Sequence, residues 1–149
     1  MPTTLFDAKP YDPAKDRQKR NRILLICGVV ILIAALFWWF RFLPYEHRVD
    51  QFFTALEQQN YEQAYGIWMH DADWKQHPQK YARYTYGSFY LDWGPGGEWG
   101  LIKSHKVIGT IVPKGSTTGV VVGIIVNQRA EQCHIWMDRR DKTMSFSPY

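Results

Sequence analysis

Cysteine is scarce in this 149-residue chain, and the two present, Cys27 and Cys133, cannot build the disulfide framework of a small secreted scaffold. Charge is also modest, at 21% against 46% hydrophobic residues, which excludes an acidic or basic disordered chain. No catalytic signature is present. Gly94-Pro95-Gly96-Gly97 and Lys114-Gly115-Ser116-Thr117 both depart from the phosphate-loop pattern and read as turns. Between Ile23 and Phe40 there is neither a charge nor a proline, and that gap is the strongest statement the sequence makes.

The gap is filled by ILLICGVVILIAALFWWF, in which twelve of 18 residues are Ile, Leu, Val or Phe. As a helix it covers about 27 Å, close to one hydrocarbon thickness. Those twelve residues favour insertion by about −4 to −7 kcal/mol. Arg20 and Arg22 precede the run, while Trp38, Trp39 and Arg41 close it, as interface residues of a transmembrane helix over 23–43 would. The run is too long for a signal-peptide core, and Arg41-Phe42-Leu43-Pro44 lacks a small-x-small cleavage pattern, so a retained signal anchor is expected.

The net charge of +4 divides unevenly along the chain. Residues 1–22 carry six basic and three acidic side chains, leaving little excess for the remainder. Basic residues beside an apolar segment orient a membrane helix, which keeps residues 1–22 in the cytoplasm and exports 46–149. The lipid bilayer is therefore the first partner, and nucleic acid is not expected without a basic reading face. The first 14 residues, with three prolines and no periodicity, read as a mobile tail. Cys27 and Cys133 fall on opposite sides of this division and cannot pair within one chain. Cys133 reads as a buried strand residue.

Beyond Glu46 the pattern becomes helical. Val49, Phe52, Phe53 and Leu56 recur at i, i+3, i+4 and i+7. Asn60 with Gln63 forms a capping pair for a second helix that carries Tyr61, Ala64, Tyr65 and Trp68 inward. A third helix is predicted from Pro78 to Tyr90, and the Gly-rich segment after Trp93 ends it. Strands are predicted over Leu101–Val112, Gly119–Asn127, Cys133–Asp138 and Thr143–Ser147. Gly119 and Gly123, on one face of the second strand, imply a bend or a close approach. Helices followed by strands define an α+β class, with about three helices packed on a curved four-stranded antiparallel sheet.

The run Val49-x-x-Phe52-Phe53-x-Ala55-Leu56-x-x-x-Asn60-Tyr61-x-x-Ala64-Tyr65 resembles the opening of nuclear-transport-factor-2-like, or cystatin-like cone, domains. The resemblance spans about residues 46–149 and is closest to members tethered outside bacterial membranes. It implies a cone, a bacterial inner-membrane location with a periplasmic domain, and one of several functions. Members include isomerase- and dehydratase-like enzymes as well as non-catalytic binding or assembly domains.

Tyr61–Trp99 holds 11 aromatics in 39 residues, a content that fits either a filled core or a ligand pocket. Tyr65, Trp68, Tyr84, Trp136 and His134 are the candidate pocket residues. His105, His134 and Asp92 would supply acid–base chemistry in a catalytic cone. His70, Asp71, Asp73 and His77 are the densest group of potential ligands, but they meet no known metal spacing. No metal, no cofactor and no catalytic residue are assigned. The leading expectation is a non-enzymatic domain that binds a membrane-protein partner or itself; a small-ligand cone and an enzyme are the alternatives.

Overall fold

The computed structural model describes residues 13–148 and divides the chain into two compact units, 1–41 and 42–149. The expectation for the N-terminal tail falls, through residue 12, outside the described residues.

The first unit is the helix α1 (Pro13–Phe40). Pro13 suits a first helical position, where its missing N–H is not needed, and Asp16 complements the positive helix end. The basic flank is thus helical and continuous with the apolar run. None of its residues is buried, and the aliphatic side chains from Ile23 to Leu36 stand open around it.

The second unit is α+β, as the order of sequence patterns predicts. Helix α2 (Leu43–Glu57) starts three residues before the expected Glu46, because Pro44 fits a first turn. It buries Val49, Phe52, Phe53, Ala55 and Leu56. Gln59 takes a left-handed conformation, and Asn60 then caps α3 (Tyr61–Met69). The Asn60 side chain accepts from Gln63 N at 3.2 Å and donates to Gln63 Oε1 at 2.9 Å. The predicted third helix is two elements. A 3-10 turn covers Pro78–Tyr81, and α4 (Tyr86–Trp93) begins only after Thr85. The break has a local cause: the Thr85 hydroxyl accepts from Ser88 N, capping a new helix, and the Tyr84 carbonyl turns to accept from Tyr65 Oη at 2.6 Å.

Strands β1 (His105–Ile111), β2 (Gly119–Val126), β3 (Gln132–Asp138) and β4 (Met144–Phe146) form one antiparallel sheet in sequential order. Asn127 and Gln128, both at positive φ, make the tight turn from β2 to β3. The Asn127 side chain also accepts from Lys103 N at 2.8 Å and donates to the Leu101 carbonyl at 2.9 Å. It thereby ties the connection from α4 onto the sheet. Helix α2 runs antiparallel to β1, with Glu46 Oε1 accepting from Thr110 Oγ1 at 3.1 Å near one end and Glu57 reaching His105 at the other.

Between helices and sheet the interior is filled with rings. Phe52 touches Phe53, Trp68, Phe89 and Trp93 at centroid separations of 5.1–6.1 Å, with Phe53 and Trp93 edge-on. Phe146 of β4 stacks on Trp93 at 5.8 Å and closes the far side. Edge-on and offset ring pairs each add about 0.5–1.5 kcal/mol beyond area burial. Phe52→Ala is therefore expected to lower the unfolding free energy of residues 42–149 by about 3–5 kcal/mol. Urea denaturation measures it; a loss near that of a surface substitution would mean the rings do not depend on Phe52.

Candidate functional site

The membrane-interface candidates flank the apolar segment of α1. Arg20 and Arg22 lie on its N-terminal side, and Trp38 and Trp39 are exposed near its last turn. The Arg41 guanidinium carbon sits 3.7 Å from the centre of the Trp38 ring, a cation–π pair that holds the charge beside an aromatic platform.

The five candidate pocket residues do not share a surface. Tyr65 and Trp68 are buried in the ring cluster. Tyr84 lies at its margin and donates to Asp92 Oδ2 at 2.8 Å. Burial, reinforced by that bond, pushes the Tyr84 phenol well above its usual range. A shallow apolar cavity of about 200 Å³ opens there, lined by Trp68, Tyr84, Met144 and Phe146 among others. Trp136 and His134 belong to the opposite face of the sheet. In β3, Cys133, Ile135 and Met137 point at the helices and are buried, so the two intervening side chains must point away. The pocket expectation is corrected accordingly, and only Trp68 and Tyr84 line a common cavity.

The three acid–base candidates are likewise separated. Asp92 is engaged by Tyr84, and His134 is exposed on the outer sheet face. His105, by contrast, is held between β1 and α2. Its Nδ1 lies 2.6 Å from Glu57 Oε1, its Nε2 lies 3.1 Å from Asp50 Oδ1, and its ring stacks on Phe53. Two carboxylates facing two ring nitrogens make this a clamp between helix and strand. No local pattern marks it, because Glu57 and Asp50 lie 48 and 55 positions from His105.

The group around His70 is also engaged locally. His70 Nδ1 donates to the Asp141 carbonyl, while Asp71 accepts from the Tyr81 hydroxyl and from Asp73 N. Among the described residues no group of three or more His, Cys, Asp or Glu is placed to hold a metal ion. Cys133 is buried, and desolvation pushes its thiol up to about 12, which disfavours the nucleophilic thiolate. Cys27 and Cys133 are both free.

The outer sheet face is the more open surface. The register places Ile111, Val121 and Trp136 side by side across three strands. Gly119 and Gly123 lie among them, and the close approach is made by side chains: a Cβ on Gly119 would meet the Trp136 ring at 2.2 Å, and one on Gly123 would meet Ile108 at 3.1 Å. Ile111 is 62% exposed, and Ile108 and Val112 are exposed with it. A depression of about 390 Å³ runs over this face between Ile108, Ile111, Gln132 and His134.

Comparison of the chain with family models, with curated proteins and with solved structures returns no match.

The turn carboxylates set an acid limit on the domain. The Tyr81 hydroxyl bond holds Asp71 below its usual value of 3.8, and the Thr143 hydroxyl does the same for Asp141. A carboxylate depressed in the folded state contributes stability that is complete above its unfolded value and is lost as pH falls through the folded one. Melting temperature is therefore expected to drop below about pH 3.8. Asp71→Asn with Asp141→Asn should melt lower at neutral pH and converge on the parent in acid. Parallel pH curves for the two proteins would exclude these carboxylates from the acid limb.

Proposed function

We propose that this chain is a single-pass membrane-anchored domain that binds or scaffolds a partner protein at the outer surface of a bacterial inner membrane. The observation that carries the reading is an apolar helix with none of its residues buried, joined to a domain whose interior is packed with rings. Such a helix finds a low-energy environment in lipid, and its basic N-terminal flank favours an N-in orientation. The α+β layout is compatible with an NTF2-like cone of the assembly type, in which surfaces rather than a cavity carry the function. The surface best suited to a partner is the outer sheet face around Ile108, Ile111 and Trp136, where aliphatic and aromatic groups are grouped with few charges.

Three measurements test this. In alkaline carbonate the full chain is expected to stay in the membrane fraction, and residues 42–149 alone to be released. In cells with a permeabilised outer membrane, an impermeant thiol reagent should reach Cys133 of unfolded Cys27→Ala protein; labelling only after the inner membrane is opened reverses the orientation. A photo-crosslinker at position 111 should give a discrete protein adduct that Ile108→Asp abolishes while the domain stays folded. An adduct pattern unchanged by that substitution removes the outer face from the proposal.

A further inference from the structure

We propose that the end of the domain from which α2 begins is a phosphate-binding surface for anionic lipid headgroups in the leaflet where α1 ends; this rests on the membrane-anchor reading above. Leu43, the first residue of α2, follows Phe40 by three positions, so covalent geometry keeps it within about 11 Å of the end of α1 at any angle.

The fold gathers two turns beside that first helical turn. One joins β1 to β2 across residues 113–118, and the other joins β3 to β4 across 139–143. Arg139 N donates to the Thr118 carbonyl at 2.8 Å, linking the two turns. Lys142 Nζ donates to Tyr45 Oη at 3.3 Å and lies 4.3 Å from the centre of that ring, which fixes the second turn to α2. Lys114, Arg139 and Arg140 are exposed on these turns, and Lys142 is half-buried between them and the helix.

The nearby carboxylates are engaged by local hydrogen bonds, although Asp141 is exposed on the same turn. Asp138 accepts from Arg140 N at 2.6 Å, Asp141 accepts from the Thr143 hydroxyl at 2.7 Å, and Glu46 is bonded to Thr110. Among the described residues, none of the four cations forms an ion pair with a carboxylate. Arg48 extends the same surface. It lines a groove of about 600 Å³ together with His70, Glu62 and Asp71, and the His70 ring is fixed to the second turn through the Asp141 carbonyl. The exposed guanidinium groups of Arg139 and Arg140 favour phosphate oxygens, which accept in the geometry that arginine offers.

The tether decides the source of that phosphate. Screening confines the attraction of exposed charges to about 8–10 Å, so the surface must come down onto the headgroups, and a three-residue connection to the anchor limits how far it can stray from them. A free phosphate ester would have to be recruited from solution, whereas the lipid surface is supplied by the anchor itself.

The test uses the full chain in the Cys27→Ala background, reconstituted into phosphatidylcholine vesicles with or without about one quarter phosphatidylglycerol. A donor dye is placed at Thr117→Cys on the first turn, or at Gln128→Cys on the opposite end of the sheet as a control. Buried Cys133 stays unlabelled, and the acceptor is a headgroup-labelled lipid. Energy transfer from position 117 is expected to rise with phosphatidylglycerol, to reverse in about 0.5 M salt, and to exceed that from position 128. Lys114→Gln, Arg139→Gln and Arg140→Gln together should lower the docked population on the order of a hundredfold. Transfer that is equal in the two lipids, or unchanged in the triple variant, overturns the proposal while leaving the anchor intact. Chain extracted from the vesicles by carbonate overturns the anchor reading, and this proposal with it.

Discussion

Two adjacent phenylalanines on α2 bind the domain together, and they do so in different directions. Phe52 points into the rings of α3 and α4, while Phe53 lies between Trp93 and the His105 ring of β1. Consecutive helical positions diverge by about 100°, so one helix can serve two packing partners only where its apolar face is broad. Val49 and Leu56 extend that face by one turn on each side. Without α2, the helices and the sheet have little to hold them in register. The polar seam of Glu46, Asp50 and Glu57 along the same helix then sets its angle on β1.

That arrangement explains which parts of the fold were legible. The i, i+3, i+4 spacing of α2 and the Asn60–Gln63 cap are local signals, and both predicted what is found. The third helix was misread because Thr85 is a strong cap inside a stretch otherwise compatible with helix, and propensity alone does not weigh a cap against continuity. The clamp on His105 was invisible for another reason: it joins residues distant in sequence, and no periodicity marks it.

The misassigned pocket is more instructive, since its correction was available in the sequence. In Gln132–Asp138 the apolar residues Cys133, Ile135 and Met137 alternate with His134 and Trp136. Period-two reasoning assigns the first set to the core and the second to the opposite face. Trp136 is large and apolar, but its parity groups it with His134. Parity is the stronger constraint, because one inward tryptophan would require the whole strand to slip by a residue and expose three core side chains.

An outward Trp136 is stabilised without a second layer of structure. Gly119 removes the side chain that its ring would strike, so the indole lies flat on the strand, and Ile108 folds over Gly123 in the same way. The sheet thereby covers part of its own outer face, which is why Val121 is buried although, among the described residues, no helix of the domain packs on that side. What remains open there is aliphatic and shallow, at Ile108, Ile111 and Val112. The other open chemistry is cationic and lies at the turns next to the start of α2. One end suited to lipid phosphate and one face suited to an apolar partner are perpendicular requirements on the same small domain. The two surfaces are separate, because the cationic turns cap the end of the sheet where α2 begins while the aliphatic groups lie on its outer face, and a substitution in one leaves the residues of the other in place.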